Sequence, residues 1–596
     1  MFRKVLIANR GEIAVRIART LKAMGVGSVA VYSDADRNSL HVQVADEAVA
    51  LGGNAPAESY LRGDAIIAAA QATGAEAIIP GYGFLSENTA FADACAAAGI
   101  VFVGPTPDQI RRFGLKHESR ALAAAAGVPL TPGTDLLQQV EDAVAAAADI
   151  GYPIMLKSTA GGGGIGLTRC NSEAELVAAF ASVQRLGQNF FSDSGVFIER
   201  FVEAARHVEV QIFGDGRGRV VALGERDCSL QRRNQKVVEE TPAPNLPAAT
   251  REALLAAAVR LGESVAYANA GTVEFIYDGA RDAFYFLEVN TRLQVEHPIT
   301  EACTGVDLVD WMIRTAAGEP PDLAGFTAQP TGAAMEVRIY AEDPVRNFQP
   351  SPGVLTEVVF PDDARIDGWV ATGTEVSPHY DPMIAKVIVH GPSRDAALGK
   401  LLASLEATEV AGCVTNAGFL AALCRHEGFA KGDVDTGLID RDVDALTAKP
   451  ETSDMAVALA AIAALDLDPA DPRLGWRLWG EASHQVRLLQ GDTMIGRRLI
   501  LHGHGSVTLE GETPFRLDNL VRDATTIGGN SGSRGFAAGL VRYQTAGATH
   551  VSVLLGGASH DFTVPDPLTA GADMAGSGDA VTAPMTGIVR LIDVDV

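Results

Sequence analysis

Glu288-Val-Asn-Thr-Arg-Leu-Gln-Val-Glu-His297 sets a polar side chain at every second position from Glu288 to Glu296, with Val289, Leu293 and Val295 among the residues between. The run before it, Ala283-Phe-Tyr-Phe-Leu287, is apolar and β-prone. If that strand continues, alternate residues share a face. Glu288, Asn290, Arg292, Gln294 and Glu296 then project one way, and Val289, Leu293 and Val295 the other. A solvated edge strand rarely sets carboxylates, an amide and a guanidinium in one row, so the row reads as a site. Upstream, the β-prone run from Gly271 to Tyr277 is followed by the turn-rich Asp278-Gly-Ala-Arg-Asp282. Closing a hairpin there sets Glu274 opposite Glu288. Facing carboxylates repel, and a hard divalent cation relieves the repulsion. Magnesium prefers one or two carboxylates with phosphate oxygens and water. The local reading is a metal–phosphate site, with Arg292 placed to hold an anion and Glu296 to act as a base.

The chain has 596 residues, enough for about three to five domains. Its hydrophobic content of 47% is that of an ordinary globular protein. A formal net charge of −26 argues against non-specific binding to nucleic acid or to an anionic membrane. The six cysteines are scattered with no C-x-x-C pair, which disfavours zinc and a disulfide framework and suits a reducing cytoplasm. Met1-Phe-Arg-Lys leads straight into a strand, so no signal peptide is expected. No apolar run reaches about 18 residues without a breaker, so no membrane span is expected.

Lys4-Val-Leu-Ile-Ala-Asn9 reads as a buried strand, Gly11 to Met24 as a helix with Ile13, Ile17 and Leu21 on one face, and Ser28 to Tyr32 as the next strand. Strand–helix–strand at this spacing predicts a parallel α/β sheet. Its first turn, Asn9-Arg-Gly-Glu, is not G-x-G-x-x-G, which disfavours a nicotinamide dinucleotide. A further strand from Ala75 to Pro80 ends in Gly81-Tyr-Gly-Phe-Leu-Ser-Glu-Asn88, a loop of the kind that lines ligand clefts. Beyond a linker at Pro129 to Pro132, the strand Tyr152-Pro-Ile-Met-Leu-Lys157 runs into Ser158-Thr-Ala-Gly-Gly-Gly-Gly-Ile-Gly166. Gly161, Gly162, Gly163 and Gly164 let backbone N–H groups wrap an anion, and Lys157 can meet a phosphate as a point charge. Strands follow over 196–202, 206–212 and 220–224. Between Asp227 and Glu240 the cations Arg232, Arg233 and Lys236 gather in an otherwise acidic chain, which favours an anion role.

Together these stretches resemble the biotin carboxylase family, of the ATP-grasp fold. The motifs that carry the resemblance are Ile7-Ala-Asn-Arg-Gly-Glu-Ile13, Pro80-Gly-Tyr-Gly-Phe-Leu-Ser-Glu-Asn88, the tetraglycine loop, Gln231-Arg-Arg-Asn-Gln-Lys236 and Phe286 to His297. The resemblance runs from residue 1 to about 445 and implies ATP, magnesium (manganese as an alternative), biotin and bicarbonate as ligands. It implies that Lys116, Lys157 and His207 contact ATP phosphates, with Gln231 and the loop glycines also at the nucleotide, and that Glu199 and the following hinge hold adenine. It assigns Glu274, Glu288 and Asn290 to the metal; Arg292, Gln294 and the Val295 backbone to bicarbonate; Glu296 as the base; Lys236 as a neutraliser of phosphate; and Arg338 to the biotin enolate. The strand-face argument reaches Glu274, Glu288, Arg292 and Glu296 unaided, whereas Arg338 and biotin come from the resemblance alone. Three positions depart from the pattern usual in acyl-CoA carboxylases. Ile79 stands where His is common, Ile165 replaces a basic residue in the glycine loop, and Asn234 replaces a His. With Ser158-Thr159 they resemble the urea carboxylase branch.

The implied domains are 1–115 (N-terminal), 116–330 (ATP-grasp with a glycine-rich lid), 331–446 (C-terminal, α+β), 447–568 and 569–596. Ser453 to Leu465 reads as an Ala-rich helix, followed after Gly475-Trp-Arg-Leu-Trp479 by short alternating segments that suggest a small barrel or sandwich. This layout resembles the domain that docks a carboxylase half onto a carboxyltransferase subunit in acyl-CoA carboxylases. Residues 569–579 read as a linker, and Ala583-Pro-Met-Thr-Gly-Ile-Val589 resembles the first strand of a biotin carrier. No Met-Lys pair occurs and no lysine follows Lys449, so the expectation is an incomplete carrier with no biotinyl lysine in this chain. Biotin is then free or borne on an outside carrier. The leading expectation is the biotin carboxylase (alpha) subunit of an acyl-CoA carboxylase, such as a methylcrotonyl-, propionyl- or acetyl-CoA carboxylase, working as an oligomer in the cytoplasm with a carboxyltransferase (beta) subunit. The alternatives are a urea or related amide carboxylase and a non-catalytic scaffold subunit. The intact acidic and basic residues argue against the scaffold.

Overall fold

The computed structural model describes residues 1–158, 166–191, 195–448, 451–545, 548–556 and 558–566. The glycines at 161–164, Thr159 and Ile165 lie outside them, as do the expected linker and carrier strand. Five parallel strands open the chain, ordered Glu47–Ala50, Gly27–Tyr32, Lys4–Ile7, Ala77–Ile79 and Val101–Phe102. Val5, Leu6 and Ile7 are buried on both faces, as a central parallel strand requires. Strand order reverses between Lys4–Ile7 and Ala77–Ile79, so the loops leaving their carboxyl ends open at a switch point, the usual place for a ligand crevice. The helix Gly11–Met24 buries Ile13, Ile17 and Leu21. It stops where Gly25 turns left-handed at φ 71° and Val26 N–H reaches back to the Leu21 carbonyl, a Schellman closure.

An antiparallel sheet of eight strands forms the centre, in the order Ala283–Asn290, Ala268–Asp278, Arg206–Asp215, Val220–Arg232, Gln235–Thr241, Ala333–Tyr340, Met383–Gly391 and Arg365–Gly368. It runs unbroken past residue 330, so the expected ATP-grasp and C-terminal regions share one sheet. Its tight turn at Arg233 and Asn234 holds both residues at positive φ, 49° and 64°. Asn tolerates that backbone better than most side chains, a local reason for Asn234 to stand there. A smaller sheet of Leu167–Cys170, Ile154–Ser158 and Val196–Arg200 sits under the helices Val140–Ile150 and Glu173–Phe191.

Eight strands between Ala482 and Val564 close into a barrel. The helix Asp454–Ala464 packs against it with Ala456 to Ala463 all buried, because an Ala-rich surface lets surrounding strands approach on every side. Ala411 joins Val541 and Leu554 where barrel and central region meet. Among the described residues no helix is long and apolar enough to cross a membrane.

One expectation fails. The strand that begins at Ala283 ends at Asn290, so Arg292, Gln294 and Glu296 are not on its face. The chain leaves the sheet because Glu87 takes the Thr291 N–H at 3.0 Å and Leu293 drops into the core, fully buried.

Candidate active site

The hairpin register is as expected: Glu274 stands opposite Glu288. On its other side Glu274 faces Glu209, and Glu209 faces Arg226. Four strands thus bring one arginine and three carboxylates into a row. Arg226 is fully buried, with Nε 2.6 Å from Glu209, and is satisfied further by Gln211 and the hydroxyls of Thr272 and Thr300. Charges this deep persist only when paired.

Lys236 gathers the acids. Its Nζ lies 2.6 Å from Glu209, 2.9 Å from Glu274 and 2.7 Å from Glu296. Arg338 takes the second oxygen of Glu296 at 3.0 Å and donates through Nε to Glu239 at 2.7 Å. Glu296 is buried at the N-cap of the helix His297–Thr304. Against the cost of burial, Lys236 holds it below the usual carboxylate range, with Arg338 and Arg226 helping. Glu274 behaves likewise, held low against burial by Lys236 and His207. Glu288 goes the other way: burial and the neighbouring Glu274 push it up. Two facing carboxylates with cations paired to only one of them split in this way. The Nε2 of His207 lies 3.4 Å from Glu274 and makes no hydrogen bond among the described residues.

A cavity of about 580 Å³ opens over this floor, within the range of small-ligand sites. The switch-point loops supply Asn9 to Ile13 and Tyr82 to Phe84; the smaller sheet supplies Lys157, Leu167, Phe197 and Glu199. Of the other expected residues, Lys116, His207, Gln231, Lys236, Glu274, Glu288, Asn290, Arg292, Gln294, Val295 and Arg338 line its wall. Although Arg292 has left the strand, it still converges on the site, donating to Glu87 at 2.8 Å, Gln294 at 2.9 Å and Asn290 at 3.2 Å. Lys157 is tied to Glu199, which also receives Arg120. Glu296 stands one layer behind the cavity wall, reached through Lys236 and Arg338. The donor set fits a hard divalent cation: two facing carboxylates, with the Asn290 amide farther along the same strand.

Sequence reasoning passed over Glu209, Arg226, Glu239 and Arg120, and took Tyr82 and Glu87 only as members of a cleft-lining loop. Glu209 carried a usable signal, since His207, Glu209 and Gln211 alternate along one strand as polar residues among valines.

Residues 1–110 match the family described as biotin carboxylase, N-terminal domain; 116–323 match carbamoyl-phosphate synthase L chain, ATP binding domain; 336–441 match biotin carboxylase C-terminal domain. The chain is 48% identical over 452 residues to the biotin carboxylase of Halalkalibacterium halodurans, a match covering 75% of this chain and 100% of that protein. The chain belongs to the biotin carboxylase family. It is therefore an ATP-grasp ligase, and the mixed α/β architecture with its C-terminal barrel region agrees with the fold expected. It is 59% identical over 440 residues to the urea amidolyase of Saccharomyces cerevisiae, covering 74% of this chain and 24% of that protein. It is 50% identical over 440 residues to the alpha subunit of rat methylcrotonoyl-CoA carboxylase, covering 73% of this chain and 61% of that one. The chain thus spans about a quarter of the length of the urea amidolyase, by the same match. Among solved structures, the biotin carboxylase domain of Hydrogenobacter thermophilus 2-oxoglutarate carboxylase, in complex with MgADP, ADP and bicarbonate, aligns at TM-score 0.72 and 40% identity, covering 76% of this chain and all of that one. The Kluyveromyces lactis urea carboxylase aligns at TM-score 0.62 and 38% identity, covering 94% of this chain and 42% of that one.

Proposed function

We propose that the chain carboxylates biotin with bicarbonate, driven by ATP through carboxyphosphate. What carries this reading is the convergence of Glu274, Glu288, Arg292, Lys236 and Arg338 on one cavity beside the phosphate-loop strand, with Glu296 held directly behind Lys236 and Arg338. Glu274 and Glu288, with Asn290 near, would hold magnesium, or manganese in its place; the ion supplies charge neutralisation at phosphoryl oxygens. Lys116, Lys157 and His207 meet the phosphates of ATP, with Gln231 and the loop glycines Gly162, Gly163 and Gly164 beside them and Glu199 toward adenine. Arg292, Gln294 and the Val295 N–H hold bicarbonate. Glu296 takes its proton, and the exposed oxygen attacks the γ-phosphorus as ADP leaves. Both Glu296 oxygens are engaged by cations, so an anion competing for Lys236 or Arg338 frees one and raises its basicity. Carboxyphosphate collapses to carbon dioxide and phosphate, and that phosphate takes the proton from the biotin ureido nitrogen. The nitrogen then attacks carbon dioxide while Arg338 stabilises the enolate. Charge builds on phosphoryl oxygens, so fixed cations do most of the catalysis.

The expected outcome is ATP hydrolysis that requires bicarbonate and magnesium and is stimulated by free biotin. Equal hydrolysis rates with and without bicarbonate, in buffer depleted of carbon dioxide, would reject the reading.

For the final acceptor, identity favours urea or a related amide over an acyl-CoA, 59% against 50%. The helix-and-barrel layout had supported the acyl-CoA alpha subunit, but a urea carboxylase also aligns across 94% of this chain, so the layout no longer separates the two. Either way the acceptor site belongs to a carboxyltransferase region or subunit, and biotin reaches both sites on a carrier. The segment between the barrel and its helix exposes Trp476, Leu478 and Trp479 at 72%, 68% and 82%. Large aromatic side chains left this bare mark a protein contact surface, and we assign it to the carboxyltransferase partner. Turnover of urea against a panel of acyl-CoAs, with that partner present, decides the acceptor.

A further inference from the structure

We propose that His297 and Lys386 are positioning residues that clamp the Gln294–Glu296 turn from behind and aim the Val295 N–H at bicarbonate. The inference rests on the bicarbonate reading of that turn given above.

The Gln294 carbonyl and the Val295 N–H belong to one rigid peptide plane. His297 Nδ1 lies 2.7 Å from that carbonyl oxygen. A carbonyl only accepts, so Nδ1 must carry the proton. A donor on the oxygen polarises the peptide and strengthens the N–H at its other end. The next plane is held in the same way: Lys386 Nζ donates to the Val295 carbonyl at 2.7 Å. Two consecutive carbonyls are thus pinned by two donors from different elements, the helix His297–Thr304 and the strand Met383–Gly391. Val295 itself lines the cavity.

Both donors are at 0% exposure. A buried ammonium is costly unless paired, and Glu12 lies 3.3 Å from Lys386. His297 stays neutral because burial, with Lys386, Arg16 and Arg365 nearby, holds it well below its ordinary range. Its Nε2 makes no hydrogen bond among the described residues. A lone buried histidine is most often plain core. Here the second donor on the adjacent carbonyl, in a turn that faces the cavity, gives the pair a purpose.

The test is steady-state kinetics on His297→Phe, Lys386→Met and the donor-retaining His297→Asn. Misplacing a binding group by about 1 Å can cost about a hundredfold. The expected result is a bicarbonate KM raised about ten- to a hundredfold in the first two variants, with partial recovery in His297→Asn and an ATP KM within about twofold of the parent. An unchanged bicarbonate KM, or an equal rise in both KM values, would overturn the proposal. If the variants do not fold, neutron diffraction on the unmodified chain decides: a deuteron on Nδ1 facing Gln294 supports the clamp, and one on Nε2 alone overturns it. Bicarbonate-independent ATP hydrolysis by the parent enzyme would instead sink the bicarbonate reading.

Discussion

Glu296 and His207 are the two side chains whose replacement separates chemistry from folding. Glu296→Gln keeps the shape and removes the proposed base, so turnover should fall on the order of 10²–10⁴ with ATP affinity nearly unchanged. Turnover equal to the parent in a steady-state assay would show that another group takes the proton. His207 is set between acids: burial opposes its charge, yet Glu274 raises it to about 9, against Lys236. A histidine raised above its unfolded value stabilises the fold fully below about pH 6.5 and ceases to do so as pH climbs through the folded value. The contribution is about 3 kcal/mol at most. His207→Gln should therefore melt lower than the parent near pH 6, with the gap closing by pH 10. A melting-temperature deficit that stays constant across this range would contradict the assignment. At this scale alternation singled out Glu288, and folding the hairpin at the Asp278–Asp282 turn led from it to Glu274. The sequence could not announce Glu87, because the contact that turns Thr291 out of the sheet joins residues far apart in the chain.

Elements were legible where hydrophobic period and stop signals agreed. The span Gly11–Met24 is recovered as read, since Ile13, Ile17 and Leu21 define a face and Gly25 supplies the left-handed stop. The strand through residue 296 was over-extended for a physical reason: alternation of polar and apolar residues also arises in a turn that drops one apolar residue into the core and leaves polar ones around a cavity. The helix Asp454–Ala464 was found from composition, and the short segments after it were read as a small barrel or sandwich; the choice between those two, and the helix's enclosure, rest on closure through the long-range pair Leu489 with Thr563. That enclosure makes Leu459, at 0% exposure, a sharp probe. Leu459→Ala should cost about 2–5 kcal/mol through the cavity it leaves. In calorimetry a barrel transition should move down while biotin-dependent ATP hydrolysis persists. Loss of that activity together with the barrel would show that the two parts do not melt separately.

Across the whole molecule, the two proposed functions lie on separate surfaces. The cavity sits among the parallel sheet, the small sheet and the central sheet, whereas Trp476 and Trp479 stand beside the barrel. The double variant Trp476→Ala, Trp479→Ala should keep free-biotin carboxylation and lose co-purification with a carboxyltransferase partner. Undiminished assembly in a pull-down would move the contact elsewhere. The six cysteines give the folded molecule another property. All are buried, and burial pushes their thiols up, Cys95 and Cys424 to about 12. Since the thiolate is the reactive form, an alkylating reagent finds nothing to modify until a part of the protein opens. Cys95 then times the parallel sheet, Cys170 the small sheet, Cys228 and Cys303 the central sheet and the helix against it, and Cys413 and Cys424 the region beyond, while the barrel, without a cysteine, stays silent. Mass-resolved labelling turns the native sequence into a set of clocks that rank its parts by how often each one breathes.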